Sequence, residues 1–123
     1  MTYLPKIAVS AVALIHLLFL YVEMFDWQKG GQDFLTKFDP DFFRECAPLA
    51  QNMGLYNGFL AAGLIWAQFF VAPQFRSSAT VFFLVCVAVA GAFGAVTADQ
   101  KLFFYQCFPA LIGLGLVMIL PAK

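Results

Sequence analysis

Two side chains early in the chain could do chemistry together: His16 and Glu23. On a helix, seven residues turn through about 700°, some 20° short of two full turns, so both fall on one stripe with Val12, Phe19 and Leu20 beside it. Their heads are then roughly 10 Å apart along the axis, too far to bond without a water or a third group. As a functional group, the imidazole would relay protons through such a chain near neutral pH. As a structural group, it needs only one donor and one acceptor nearby.

The elements that must hold these residues follow from hydropathy. The chain has 123 residues, 63% of them hydrophobic and 11% charged, against roughly 45–50% and 25% in soluble domains. Its mean hydropathy is +0.83. A water-soluble globule is excluded on that basis, and one domain covering residues 1–123 is expected. Ile7–Phe25, Leu55–Ala72, Ser77–Ala98 and Leu102–Leu120 are apolar stretches of about 18–22 residues, the length that spans a hydrocarbon core of ~30 Å. Every charged side chain except Glu23 falls outside them. Backbone in lipid must bond internally, so the predicted fold is an all-α membrane protein, a bundle of four transmembrane helices near residues 5–26, 49–72, 77–98 and 101–121. Lys6 before an apolar run is reminiscent of a secretory signal, but the run is long and no small-residue cleavage site follows, so it is read as an uncleaved first helix.

The long connection, 27–48, is acidic and rich in phenylalanine. Asp39-Pro40-Asp41 is a helix start, with an acceptor at the N-cap and proline at the first helical position. The expectation is a short amphipathic helix near 40–46, lying at the membrane interface. Lys6, Arg76 and Lys123 lie on the side of the termini, and Lys29, Lys37, Arg44 and Lys101 on the other. That balance sets no strong orientation. The termini are assigned to the cytoplasm because Lys6 and Arg76 sit against helix ends, with insertion in both directions as a second reading.

Depth then gathers the remaining polar candidates. Gln51, Asn52, Tyr56, Asn57, Thr97, Tyr105 and Gln106 all fall in the half of the bundle facing the long connection, the half that holds Glu23. The other half is nearly bare, with Ser10, Gln68 and Thr80 its main polar groups. An unpaired polar group in hydrocarbon costs several kcal/mol, so these residues should turn inward around Glu23 as a pocket. Alternatively, Tyr, Asn and Gln at helix ends are interfacial anchors. The ligand-binding candidates are His16, Glu23, Asn52, Tyr56, Asn57, Thr97, Tyr105 and Gln106. Small residues in Gly54, Gly58 and Ala62, and in Ala88–Ala95, let helices approach closely. Pro109 removes a helical hydrogen bond and frees a carbonyl near Tyr105.

With seven basic and seven acidic side chains, nothing is available to neutralise a nucleic-acid backbone. Cys46, Cys86 and Cys107 suggest neither a zinc site nor a disulfide framework, and no cofactor or metal is assigned. No nucleophile and base are arranged around His16, so hydrolytic chemistry is poorly supported.

The runs His16–Trp27, Gln51–Gly63 and Ala90–Thr97 resemble the bacterial membrane family catalogued as domain of unknown function 1304, over essentially the whole chain. Ile15 and the order Gln51-Asn52 depart from the family pattern. The resemblance implies four membrane helices, a bacterial inner-membrane location and a motif set centred on His16, Glu23 and Asn57, but no activity. Three functional classes stay open. One is a protein binding or transporting a small ligand or protons at Glu23. The second is a quinone- or haem-linked redox protein, in which His16 would need a second axial ligand. The third is an assembly or scaffold subunit without activity of its own. The expected partners are the lipid bilayer, a second copy of the chain and a small ligand.

Overall fold

The computed structural model describes residues 3–120, and they are almost entirely helical, with no strand among them. α1 (Tyr3–Phe25) runs on through a π-helical turn, Trp27–Gly31, into the single turn α2 (Gln32–Phe34). α3 (Pro40–Glu45), α4 (Ala47–Phe69) and α5 (Pro73–Thr97) follow. A second π-helical turn, Phe103–Cys107, leads into α6 (Phe108–Ile119). Two helices, α1 and α5, are long and apolar enough to cross a membrane. α4 has the length, but Gln51, Asn52, Asn57 and Gln68 dilute its hydropathy.

Several boundaries differ from the sequence expectation, each for a local reason. Residues 73–76, expected in a connection, form the first turn of α5, because proline at the first helical position has the right φ and no N–H to leave unbonded. Only residues 70–72 then join α4 to α5, with the Phe70 and Val71 N–H groups donating to the Trp66 carbonyl. The last apolar stretch is not one regular helix. Pro109 cannot donate to the preceding turn, and the chain widens just before it so that the Phe108 N–H donates to the Phe103 carbonyl, five residues back. α3 starts at Pro40 with Asp39 as its N-cap, yet the Asp39 side chain makes no cap bond. The Asp39 carbonyl takes the Phe42 N–H instead, while Asp41 in the first turn pairs with Arg44.

α1 packs most extensively on α4 and next on α6, and α5 packs on α4, α6 and the second π-helical turn. Val9, Val12, Ala13, Leu64, Leu84, Val87, Ala110 and Val117 form the apolar core. Outside it, every long helix exposes large apolar side chains, among them Leu14 and Leu18 of α1, Phe59 and Trp66 of α4, Phe82 and Val89 of α5, and Ile112 and Ile119 of α6. His16, Asn57, Gln68 and Thr80 are buried. Polar groups inside and apolar groups outside invert the usual distribution of a water-soluble domain.

Candidate functional site

The α1–α4 contact is closest at Gly54. A Cβ there would lie 2.7 Å from Met24 Cγ, 3.0 Å from Glu23 Cβ and 3.2 Å from the Leu20 carbonyl oxygen. Only a residue without a side chain lets α4 lie this near the backbone of α1. Asn57 is three residues further along α4, on the same face, and is 8% exposed. Its Nδ2–H donates to Glu23 Oε2 at 2.6 Å. The carboxylate is half-buried, and among the described residues no Lys or Arg pairs with it. The one acid inside an apolar stretch is thus answered by a neutral amide.

His16 is completely buried on α1. Its Nδ1 donates to the Val12 carbonyl at 2.8 Å, which leaves Nε2 as the acceptor, buried and without a partner among the described residues. The ring of Phe19 stands edge-on to the imidazole, with centroids 5.9 Å apart. His16 and Glu23 make no direct bond, as their axial spacing requires.

Of the other sequence candidates, Asn52, Tyr56 and Thr97 are exposed and are not brought to the Glu23–Asn57 pair. The Tyr56 ring packs edge-on against Phe59 of its own helix, and Thr97 Oγ donates to the Phe93 carbonyl one turn back. On α4, Asn52 and Tyr56 fall on faces turned away from Gly54 and Asn57, so sharing a depth with Glu23 did not mean sharing a face with it. Tyr105 is 49% exposed and packs on Phe34, and Gln106 is buried against Gly91. Neither bonds to Glu23.

A roof over this end of the bundle was not foreseen. Phe34, at the end of α2, turns back between helices. Its ring meets Phe19 at 5.9 Å and Tyr105 at 5.2 Å, both edge-to-face. Lys101 Nζ donates to the Phe34 carbonyl at 2.8 Å and lies 5.7 Å from the centre of its ring. Lys37 Nζ approaches Asp99 Oδ2 at 3.7 Å, and Asp99 Oδ1 accepts the Lys101 backbone N–H at 2.9 Å. That N–H, reinforced by the charges of Lys37 and Lys101, holds the Asp99 carboxyl below its ordinary range against the opposing effect of burial. Trp27 packs on Phe43, which is fully buried, and Gly31 lies flat beneath the indole. The long connection is therefore fastened to the end of the bundle at two points, Phe34 and Lys37, while Trp27 and Phe43 pack the connection on itself. The signal in the sequence was Asp99 and Lys101, charges in a connection otherwise too short to need them.

The fold and this end of it define a small, all-helical protein with apolar outer faces and a half-buried carboxylate–amide pair at the end that carries an aromatic roof. A family model described as a protein of unknown function, DUF1304, matches residues 10–118, nearly the whole chain, and the protein belongs to that family. No curated protein and no solved structure matches it.

Proposed function

We propose that the chain is an integral membrane protein crossing the bilayer four times, through α1, α4, α5 and the helix formed by residues 103–119, with both ends on the cytoplasmic side. The apolar outer faces of all four helices support this reading, because water would make them an aggregation surface. Residues 103–119 reach roughly 26 Å at 1.5 Å per residue, and modest thinning of the bilayer closes the gap to ~30 Å. α3, with Phe42 exposed on it and Phe43 beneath, lies in the headgroup layer of the opposite side.

In this arrangement Glu23 is a binding carboxylate for a proton or a small hydrogen-bond donor entering from the side of the long connection. The observation that carries the reading is the 2.6 Å bond from Asn57. An amide holds a carboxylate in place without neutralising it, so the second carboxylate oxygen stays available to a proton or a donor ligand. A structural fastening would be better served by a cation or by two apolar residues. Reconstitution in liposomes under an imposed pH gradient tests it. Wild-type protein should dissipate the gradient and Glu23→Gln should not, with both inserted to the same extent. Equal rates for the two would leave the scaffold reading standing.

A further inference from the structure

The end of the bundle opposite the roof carries a second polar feature that the Glu23 reading does not use. A shallow, half-open cleft lies where the start of α1, the end of α4, the start of α5 and the end of α6 meet. Its polar lining is Lys6, Gln68, Arg76, Ser77 and Thr80, and apolar residues of α1 and α6 form the rest. We propose that this cleft binds a phosphate ester whose organic part carries a hydroxyl group, as in a polyol phosphate.

Charge supports the anion. Lys6 and Arg76 line the cleft, and among the described residues neither is in an ion pair. Every acidic side chain of the sequence lies between Glu23 and Glu45 or at Asp99, all at the other end. α5 also begins at this end of the bundle, at Pro73, so the positive end of its dipole adds to the charge there.

Unmet hydrogen bonds define the ligand more narrowly. Arg76 spends one amino group on the Val71 carbonyl at 3.3 Å, while its Nε–H is buried with no acceptor. A phosphate oxygen is the natural partner, since guanidinium and phosphate form charge-assisted bonds. Gln68 is only 5% exposed. Its Nε2–H donates to Ser10 Oγ at 3.4 Å, and its Oε1 is buried with no donor. A phosphate cannot supply that donor, but a hydroxyl on the same molecule can. The Thr80 hydroxyl already donates to the Arg76 carbonyl at 2.9 Å, so it too can only accept from a ligand. The apolar wall from Val9, Val117 and Leu120 would suit an ester attached to hydrocarbon. The shared chemistry, a hydroxylated phosphate, can come from a glycerol-type phospholipid headgroup or from a soluble polyol phosphate.

Native mass spectrometry of the full chain in detergent tests this, using phosphatidylglycerol, phosphatidic acid and phosphatidylcholine as probes. Phosphatidylglycerol should be retained about tenfold more strongly than phosphatidylcholine, the size expected of a headgroup hydroxyl bonded to Gln68 and of the absence of a choline cation beside Lys6 and Arg76. Arg76→Gln should weaken retention of all three, because the phosphate it bonds is common to them. Gln68→Leu should instead erase the preference for phosphatidylglycerol over phosphatidic acid, which lacks the extra hydroxyl. Lys6→Gln, outside the α4–α5 turn, serves if the Arg76 variant does not fold, and it should weaken retention in the same direction. Displacement by added glycerol 3-phosphate would assign the site to a soluble ligand, and resistance to it would assign the site to lipid. Retention of all three lipids equally, or retention unchanged in the Arg76 and Lys6 variants, would overturn the proposal.

Discussion

Asn57 and Glu23, 34 positions apart in sequence, meet across the α1–α4 contact with a 2.6 Å hydrogen bond, and they can do so because Gly54 lets the two backbones close on each other. Replacing that glycine tests the geometry. Gly54→Val puts methyl groups where Met24, Glu23 and the Leu20 carbonyl already stand, and overpacking of this kind costs about 1–3 kcal/mol. The variant should lose thermal stability in detergent by an amount that Gly115→Val does not show, since a Cβ at Gly115 meets nothing within 4 Å.

Asn57→Leu keeps the volume and removes the donor. The Glu23 carboxylate then loses its partner, with an expected loss of about 1–3 kcal/mol. Adding Glu23→Gln or Glu23→Leu to it should recover part of that loss, because no unanswered charge remains. Denaturant titration of the two single variants and the double variant measures the coupling, and strict additivity would deny it.

The roof depends on Phe34. Its two edge-to-face contacts are each worth about 0.5–1.5 kcal/mol beyond burial. Phe34→Ala should therefore speed backbone hydrogen exchange across residues 31–38 by about tenfold while leaving the middle of α4 unchanged.

How much of this could be read from the sequence depended on the kind of signal. Hydropathy located the helical stretches because apolar length is a local property, and Asp39-Pro40 marked the start of α3 for the same reason. Glu23 stood out as the one charge in an apolar run. The partners were harder to identify. Depth along the helices gathered seven residues around Glu23, but only the face on which a residue sits decides contact, and Asn52, Tyr56 and Thr97 are turned away from it. Phe34 and Lys101 are 67 positions apart and joined through a backbone carbonyl, an acceptor that every residue possesses, so no residue type could advertise the contact. The π-helical turn before Pro109 was legible only as a lost hydrogen bond. The half opposite the roof looked nearly bare because its few polar groups are scattered over three helices.

The Lys37–Asp99 contact that helps to fasten the roof should respond to acid. The Lys101 N–H holds Asp99 below its ordinary carboxyl range, so the folded state favours the ionised form. A depressed carboxyl stabilises the fold above its unfolded pKa, near 4, and the contribution is lost as pH falls through the folded value. Wild-type protein should melt higher than Asp99→Asn at pH 7, and the two melting curves should converge once the pH is well below about 4. A difference that persisted unchanged in acid would mean that the charge of Asp99 contributes nothing.

The most direct test of the account is infrared difference spectroscopy of the reconstituted protein during a switch from alkaline to acidic buffer. A protonated carboxyl band should appear, be absent in Glu23→Gln, and shift in frequency in Asn57→Leu because its hydrogen-bond partner has gone. A spectrum in which Glu23→Gln matches wild type, with no band assignable to Glu23 at any pH, would contradict the claim that this carboxylate exchanges protons and would reduce the pair to a fastening between α1 and α4.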